Sequence, residues 1–202
     1  MLNKKKLTQA QFIAYAGVLS ALAIVLVIIE IPYPLVPWLK IDLSEVIVLI
    51  AAVINIWLAI IVATVKAWLT FLVKPDANFI GHLAMWLGSF SILIPYYFAA
   101  KKLPKVTSLV IATLAFSVFM TFLNYVYVTP AYMGTTVSEM AGMSQQLTFG
   151  TQKMLDAGKA WLDVEVSYLT YIVAMYLPFN LMKGAIVSVA FYFVSNRLNK
   201  EK

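Results

Sequence analysis

Cysteine is absent and histidine occurs once in the 202-residue chain. No disulfide framework, thiolate metal site or thiol nucleophile is therefore available, and one imidazole cannot build a histidine-rich metal cage. Charge is scarce too, with Asp, Glu, Lys and Arg at 12% of residues, against about 25% in a soluble domain. There is no G-x-x-x-x-G-K-[ST] loop, which excludes ATP hydrolysis by the P-loop route, and no HExxH or GxSxG element. The middles of the long apolar runs carry no Asp or Glu. That speaks against a proton- or sodium-coupled secondary transporter, which needs membrane-embedded carboxylates.

Apolar residues make up 62% of the chain, aromatics 14%, and the mean hydropathy is +0.87. This composition belongs in a bilayer. At roughly 20 residues per transmembrane helix the length admits about five to seven spans and no separate soluble domain. The formal net charge is +6, and it is assigned to membrane topology in preference to nucleic-acid binding.

The apolar runs give a first span at 11–31, preceded by Lys4, Lys5 and Lys6 and closed by Pro32, Pro34 and Pro37. The run 43–73 contains only Glu45 and Lys66 as charges and is too long for one ordinary span. Lysines cluster at the N-terminus, at Lys101, Lys102 and Lys105, and with Arg197 at Lys200 and Lys202. Placing all three groups in the cytoplasm requires an even number of spans, so 43–73 is expected to cross twice, turning near Asn55. The expected architecture is an all-α bundle of six transmembrane helices in one domain, 1–202, both termini cytoplasmic. Its spans are 11–31, 43–55, 57–73, 78–100, 106–128 and 168–194. An extracellular loop, 129–166, is expected to hold an amphipathic lid or interfacial helix around 138–169.

Polar groups collect near the outer ends of these helices: Asn78 and His82 in the fourth, Asn124 with Tyr125 late in the fifth, Asn180 and Lys183 in the sixth. Intramembrane amides and ammonium groups are functional-site candidates by default. Gluing helices together is the alternative use of an asparagine. Aromatics such as Trp38, Trp68, Trp86, Tyr127, Tyr132, Trp161, Tyr168 and Tyr171 are expected at the outer interface or beside the pocket, where some could stack on a flat heterocycle. Along the first span Ala10, Ala14, Gly17 and Ala21 recur at helical spacing, a small-residue stripe that lets another helix approach closely.

Several elements, in this order, resemble one family. They are Tyr33-Pro34 to Pro37 with Ile41-Asp42-Leu43-Ser44-Glu45, then Val65-Lys66, Leu123-Asn124-Tyr125 with Pro130 and Tyr132, and Pro178-Phe179-Asn180-Leu181-Met182-Lys183-Gly184. The chain resembles the substrate-binding S components of energy-coupling factor (ECF) vitamin importers, in particular the riboflavin branch. The resemblance implies a multi-pass protein of the bacterial plasma membrane, without catalytic activity, metal or cofactor, that binds a vitamin as transported substrate. It implies a transmembrane scaffold subunit and two ATPases as partners, with the stripe on the first helix as the scaffold contact. It places ligand contacts on Asn124, Asn180 and Lys183. Riboflavin is the first expectation. Pantothenate is the alternative, because His82 and Lys183 would serve a carboxylate; a ligand-free membrane scaffold protein is the alternative from another class.

Overall fold

The computed structural model describes residues 7–74, 78–150 and 152–200, with the side chains of 37, 38, 152 and 198–200 excepted. Lys4, Lys5, Lys6, Pro75, Asp76 and Lys202, and the side chains of Pro37, Trp38 and Lys200, lie outside the described residues.

The first helix, α1 (Gln9–Ile28), opens on a reciprocal cap in which Thr8 and Gln11 satisfy each other's backbone N–H groups. Past its end the chain, rich in proline, forms an antiparallel hairpin of β1 (Ile31–Tyr33) and β2 (Val36–Ile41). Next come α2 (Ser44–Ile54) and α3 (Ile56–Val73), separated by the single extended residue Asn55 (φ −161°, ψ 135°). The Asn55 carboxamide caps α3 by accepting the Trp57 N–H at 2.8 Å. The long apolar run is therefore two helices that meet at Asn55.

After α4 (Phe79–Ala99) and α5 (Lys105–Leu123), a π-helical turn (Asn124–Val128) leads into α6 (Thr129–Met133). Pro130 sits in the first turn of α6, where a missing N–H does no harm. Gly134 ends this helix in the left-handed region at φ 65°. Beyond it lie α7 (Val137–Ala141), β3 (Ser144–Phe149), α8 (Gln152–Asp156), β4 (Leu162–Ser167) and the 33-residue α9 (Tyr168–Lys200).

Among the described residues five helical rods are long and apolar enough to cross a membrane: Gln9–Ile28, Ile56–Val73, Phe79–Ala99, Lys105–Met133 and Tyr168–Arg197. The apolar helix Ser44–Ile54 is shorter, and its 11 residues rise only about 16 Å. Side-chain bonds give the directions. Lys74, just past α3, reaches Glu30, just past α1, at 2.8 Å, and Lys66 in α3 reaches Glu45 at the start of α2 at 2.6 Å. Thus α1 runs parallel to α3, and α2 antiparallel to it. Lys105, opening α5, bonds Ser195 and Asn196 near the end of α9. The start of α1, the α4–α5 connection and the end of α9 consequently share one end of the bundle.

Two corrections concern the other end. The expected loop 129–166 does not begin at 129, because helix continues through Met133, and its centre is not an amphipathic helix. Residues 144–149 and 162–167 pair strand to strand, from Ser144 opposite Ser167 to Phe149 opposite Leu162. The physical reason is a period of two: Leu147 is buried while Gln146 is exposed, an alternation that a helix cannot put on one face. The helical bundle thus carries two small hairpins. Leu147 packs with Val36 and Met175, so both hairpins and α9 share one apolar cluster over this end.

Candidate functional site

Inside the capped end lies a cavity of about 350 Å³, within the usual range for small-molecule pockets. Its existence follows from the shortness of α2. Lys66 lies eight residues before Lys74, so it sits about 12 Å below the rim, and it meets Ser44 and Glu45 at the start of α2. The chain from β2 to Ser44 therefore descends in non-helical form into the bundle. Irregular backbone at such depth is tolerated where it lines a cavity.

One wall is built on α4 and α6. The Asn78 carboxamide oxygen accepts the Gly81 N–H at 2.7 Å and the Tyr132 hydroxyl at 2.8 Å, which joins α6 to the start of α4. A Cβ at Gly81 would stand 2.9 Å from that hydroxyl, so a larger residue there would have to push the Tyr132 side chain aside. One turn on, His82 is 6% exposed. Its Nδ1 lies 2.9 Å from the Asn78 carbonyl, which can only accept, so Nδ1 carries the proton. Nε2 is buried and makes no hydrogen bond with the described residues.

The opposite wall comes from α5 and α9. The Thr129 N–H bonds the Asn124 carbonyl five residues back, a widened turn of the kind often found at functional sites. Asn124, 7% exposed, donates its side-chain N–H to the Met120 carbonyl at 2.7 Å. Asn180, 3% exposed, donates to the Thr121 hydroxyl at 3.2 Å. In each case the carboxamide oxygen takes no bond from the described residues.

The floor and rim are ionic. Lys183 donates to Asp42 at 2.8 Å, across 141 residues of sequence. Asp42 also accepts from the Ser44 hydroxyl and, at 3.0 Å, from the Ser44 N–H. Burial pushes the Asp42 carboxyl up, but the ammonium groups of Lys183 and Lys66 outweigh it and hold the group below the usual carboxylate range. Below it, Lys66 is fully buried and donates to Glu45 at 2.6 Å and to Ser44 at 3.0 Å; Ser89 also donates to Glu45, at 2.9 Å. The second oxygen of Glu45 is buried and takes no bond from the described residues. At the mouth Glu30 takes Lys74 at 2.8 Å and Lys40 besides. Each of the three carboxylates of the cavity, Glu30, Asp42 and Glu45, is thus paired with an ammonium group, with Lys40 and Lys74 sharing Glu30.

Five of the six candidate ligand residues, Asn78, His82, Asn124, Asn180 and Lys183, line this one cavity. Tyr125 does not. It stacks on Tyr168, ring centroids 5.0 Å apart, and its carbonyl accepts the Tyr168 hydroxyl at 2.7 Å. Of the aromatics singled out by position, Tyr132 lines the cavity, joined by Phe179 of the Pro178-Phe179-Asn180 element and by Tyr176, which no sequence signal distinguished. Trp68 and Trp86 pack on each other across α3 and α4, centroids 6.4 Å apart. Glu30 and Lys74 were missed as well, and nothing local marks them. Away from the cavity, Ala10, Ala14, Gly17 and Ala21 are all exposed on α1, and a Cβ at Gly17 would meet nothing within 4 Å. Ser20 and Ala23 on the other face are buried.

Residues 11–195 match the family described as ECF transporter, substrate-specific component. The riboflavin transporter FmnP of Bacillus subtilis is 30% identical over 190 residues, covering 90% of this chain and 88% of that protein. The riboflavin transporter RibU of Staphylococcus aureus is 30% identical over 206 residues, covering 97% and 94%. RibU of Streptococcus thermophilus is 28% identical over 201 residues, covering 93% and 82%. Among solved structures, the S component of a bacterial ECF transporter superposes with a TM-score of 0.71 at 28% identity, over 96% of this chain and 98% of that one.

Proposed function

The chain belongs to the family of substrate-specific components of ECF transporters, and from that membership we propose that it binds riboflavin in the cavity beneath the two hairpins and delivers it to an energising module. It is a multi-pass protein of the plasma membrane, and its family is one of transporter subunits, not enzymes.

The observation that carries the riboflavin reading is the polarity of the cavity. Asn124 and Asn180 present open carboxamide oxygens, and Lys183 stands next to them, steered by Asp42. An isoalloxazine edge offers the complement: an N–H flanked by carbonyl groups. Tyr132, Tyr176 and Phe179 supply apolar faces for its ring. On the other side Glu45 and His82 line the cavity, a polar wall that suits the hydroxyl groups of a ribityl chain. Pantothenate fits less well, since its carboxylate would have to compete with Asp42 for the Lys183 ammonium group.

Six membrane helices, with the short α2 completing the set and both termini cytoplasmic, belong to the same proposal. It is supported by the shared end of the basic segments. The exposed stripe Ala10, Ala14, Gly17 and Ala21 then faces a transmembrane scaffold subunit that two ATPases drive. Isothermal titration of the purified protein tests the ligand. Riboflavin binds tightly, pantothenate does not, and Asn124→Ala and Asn180→Ala each weaken riboflavin by about one to two decades. Tight binding of pantothenate alone would overturn the assignment.

A further inference from the structure

At the end of the bundle away from the cavity, α5 and α9 enclose a second concavity, and we infer that it holds one acyl chain of an anionic phospholipid whose phosphate is gripped by the basic residues at its mouth. The inference rests on the membrane location and is independent of which vitamin the other end binds.

The shape comes from two fixed points. At Gly184 the helices touch: a Cβ there would stand 3.0 Å from Thr113 Cγ2, and the Thr113 hydroxyl bonds the Gly184 carbonyl at 3.2 Å. At the far end Lys105 ties α5 to Ser195 at 3.1 Å and Asn196 at 2.7 Å. Between these points a groove of about 490 Å³ is lined by Val106, Leu109, Val110, Leu114, Val189 and Phe193 among others. Thr113 and Ser188 also line it, but their hydroxyls bond each other at 2.8 Å. The walls therefore present hydrocarbon only. Val106, Val110, Leu114, Val189 and Phe193 are exposed, so in a bilayer the groove opens to lipid and not to water.

Charge at the mouth selects among lipids. Lys105 Nζ lies 5.8 Å from the centroid of the Tyr192 ring, and Tyr192 itself lines the groove. Lys102 and Arg197 are exposed nearby in sequence, and among the described residues neither they nor Lys105 form an ion pair with a carboxylate; Lys101 lies over the Tyr97 and Phe98 rings of α4 instead. In the segments 100–114 and 185–202 the only carboxylate is Glu201. Neutral partners bind Lys105 without cancelling its charge. A phosphodiester above an acyl chain matches this pairing of cations and hydrocarbon, as basic pockets between membrane helices do for anionic headgroups.

Native mass spectrometry of the detergent-purified protein, offered equal amounts of phosphatidylglycerol and phosphatidylcholine with the same acyl chains, tests this. The expected result is a retained phosphatidylglycerol adduct in roughly tenfold preference. Val189→Trp, which fills the groove, and Lys105→Gln with Arg197→Gln each abolish that preference. Val118→Trp, on an exposed part of α5 outside the groove, leaves it intact. Thermal unfolding confirms that each variant is folded. Should Val189→Trp misfold, the smaller Ala185→Leu serves the same purpose. Equal retention of the two lipids overturns the inference. So does an adduct that survives groove filling, which would leave only diffuse charge attraction. Loss of assembly with the energising module on Val189→Trp, with lipid retention unchanged, would assign the groove to a protein helix instead.

Discussion

Replacing Asp42 by asparagine separates the ligand classes by the sign of the effect. In the wild type Asp42 holds Lys183 at 2.8 Å, and both side chains are largely shielded from water. Asp42→Asn keeps the shape and the acceptor but removes the charge, which leaves the Lys183 ammonium group without its counter-ion in a low-dielectric cavity. A neutral ligand cannot compensate that charge, and a lysine held only by a neutral amide oxygen is positioned more weakly for its hydrogen bond to the ring edge. Riboflavin affinity is therefore expected to fall by about one to two decades, the equivalent of roughly 1–3 kcal/mol for a desolvated polar contact. A carboxylate ligand would take the place of Asp42 and gain a charge-assisted bond, so its affinity would rise. Lys183→Gln, which keeps an N–H donor, retains more riboflavin binding than Lys183→Ala. Isothermal titration with riboflavin and pantothenate on wild type and the three variants reads this pattern. Unchanged riboflavin affinity in Asp42→Asn, or tighter binding of it, refutes the role given to the pair.

Lys66→Met strands the buried Glu45 carboxylate and is expected to destabilise the protein by about 3–5 kcal/mol, with Glu45→Gln added to Lys66→Met restoring much of the loss; thermal unfolding in detergent measures both. Gly17→Leu fills an exposed position with no internal neighbour, so vitamin affinity should stay at the wild-type value while copurification of the energising module is lost; normal assembly would return the stripe to lipid contact. Cysteines introduced at Ser144 and Lys102 should label oppositely with an impermeant maleimide in intact cells, the first reactive and the second protected, and the reverse pattern would invert the topology.

The helices were legible because runs of apolar residues near 20 long have one physical use in a chain this poor in charge. The break at Asn55 was legible too, since a 31-residue run overshoots one ordinary span. The two hairpins were not. Met140, Met143, Leu147 and Met154 alternate with charges loosely enough to fit a helix, and only the pairing of 144–149 with 162–167 exposes the period of two. For the site, Asn124, Asn180, Lys183, His82 and Asn78 stood out as polar groups in apolar helices, and they converge. Lys183 looked like an open cation because its partner lies 141 residues away. Glu45 and Lys66 carried a signal that could have been used further: two opposite charges in one apolar run have each other as the obvious partner. Tyr125 was chosen as the neighbour of Asn124, yet adjacent residues on a helix point to different faces, and its ring meets Tyr168 instead.

The visible absorption spectrum of the purified protein, from cells supplied with riboflavin, puts vitamin and cavity to the test together. Wild type should elute yellow with about one flavin per chain, and the combined Asn124→Ala, Asn180→Ala and Lys183→Ala protein should elute folded and colourless. A colourless wild type that takes up no added riboflavin would contradict the proposed ligand, and a triple variant that keeps its flavin would contradict the proposed site.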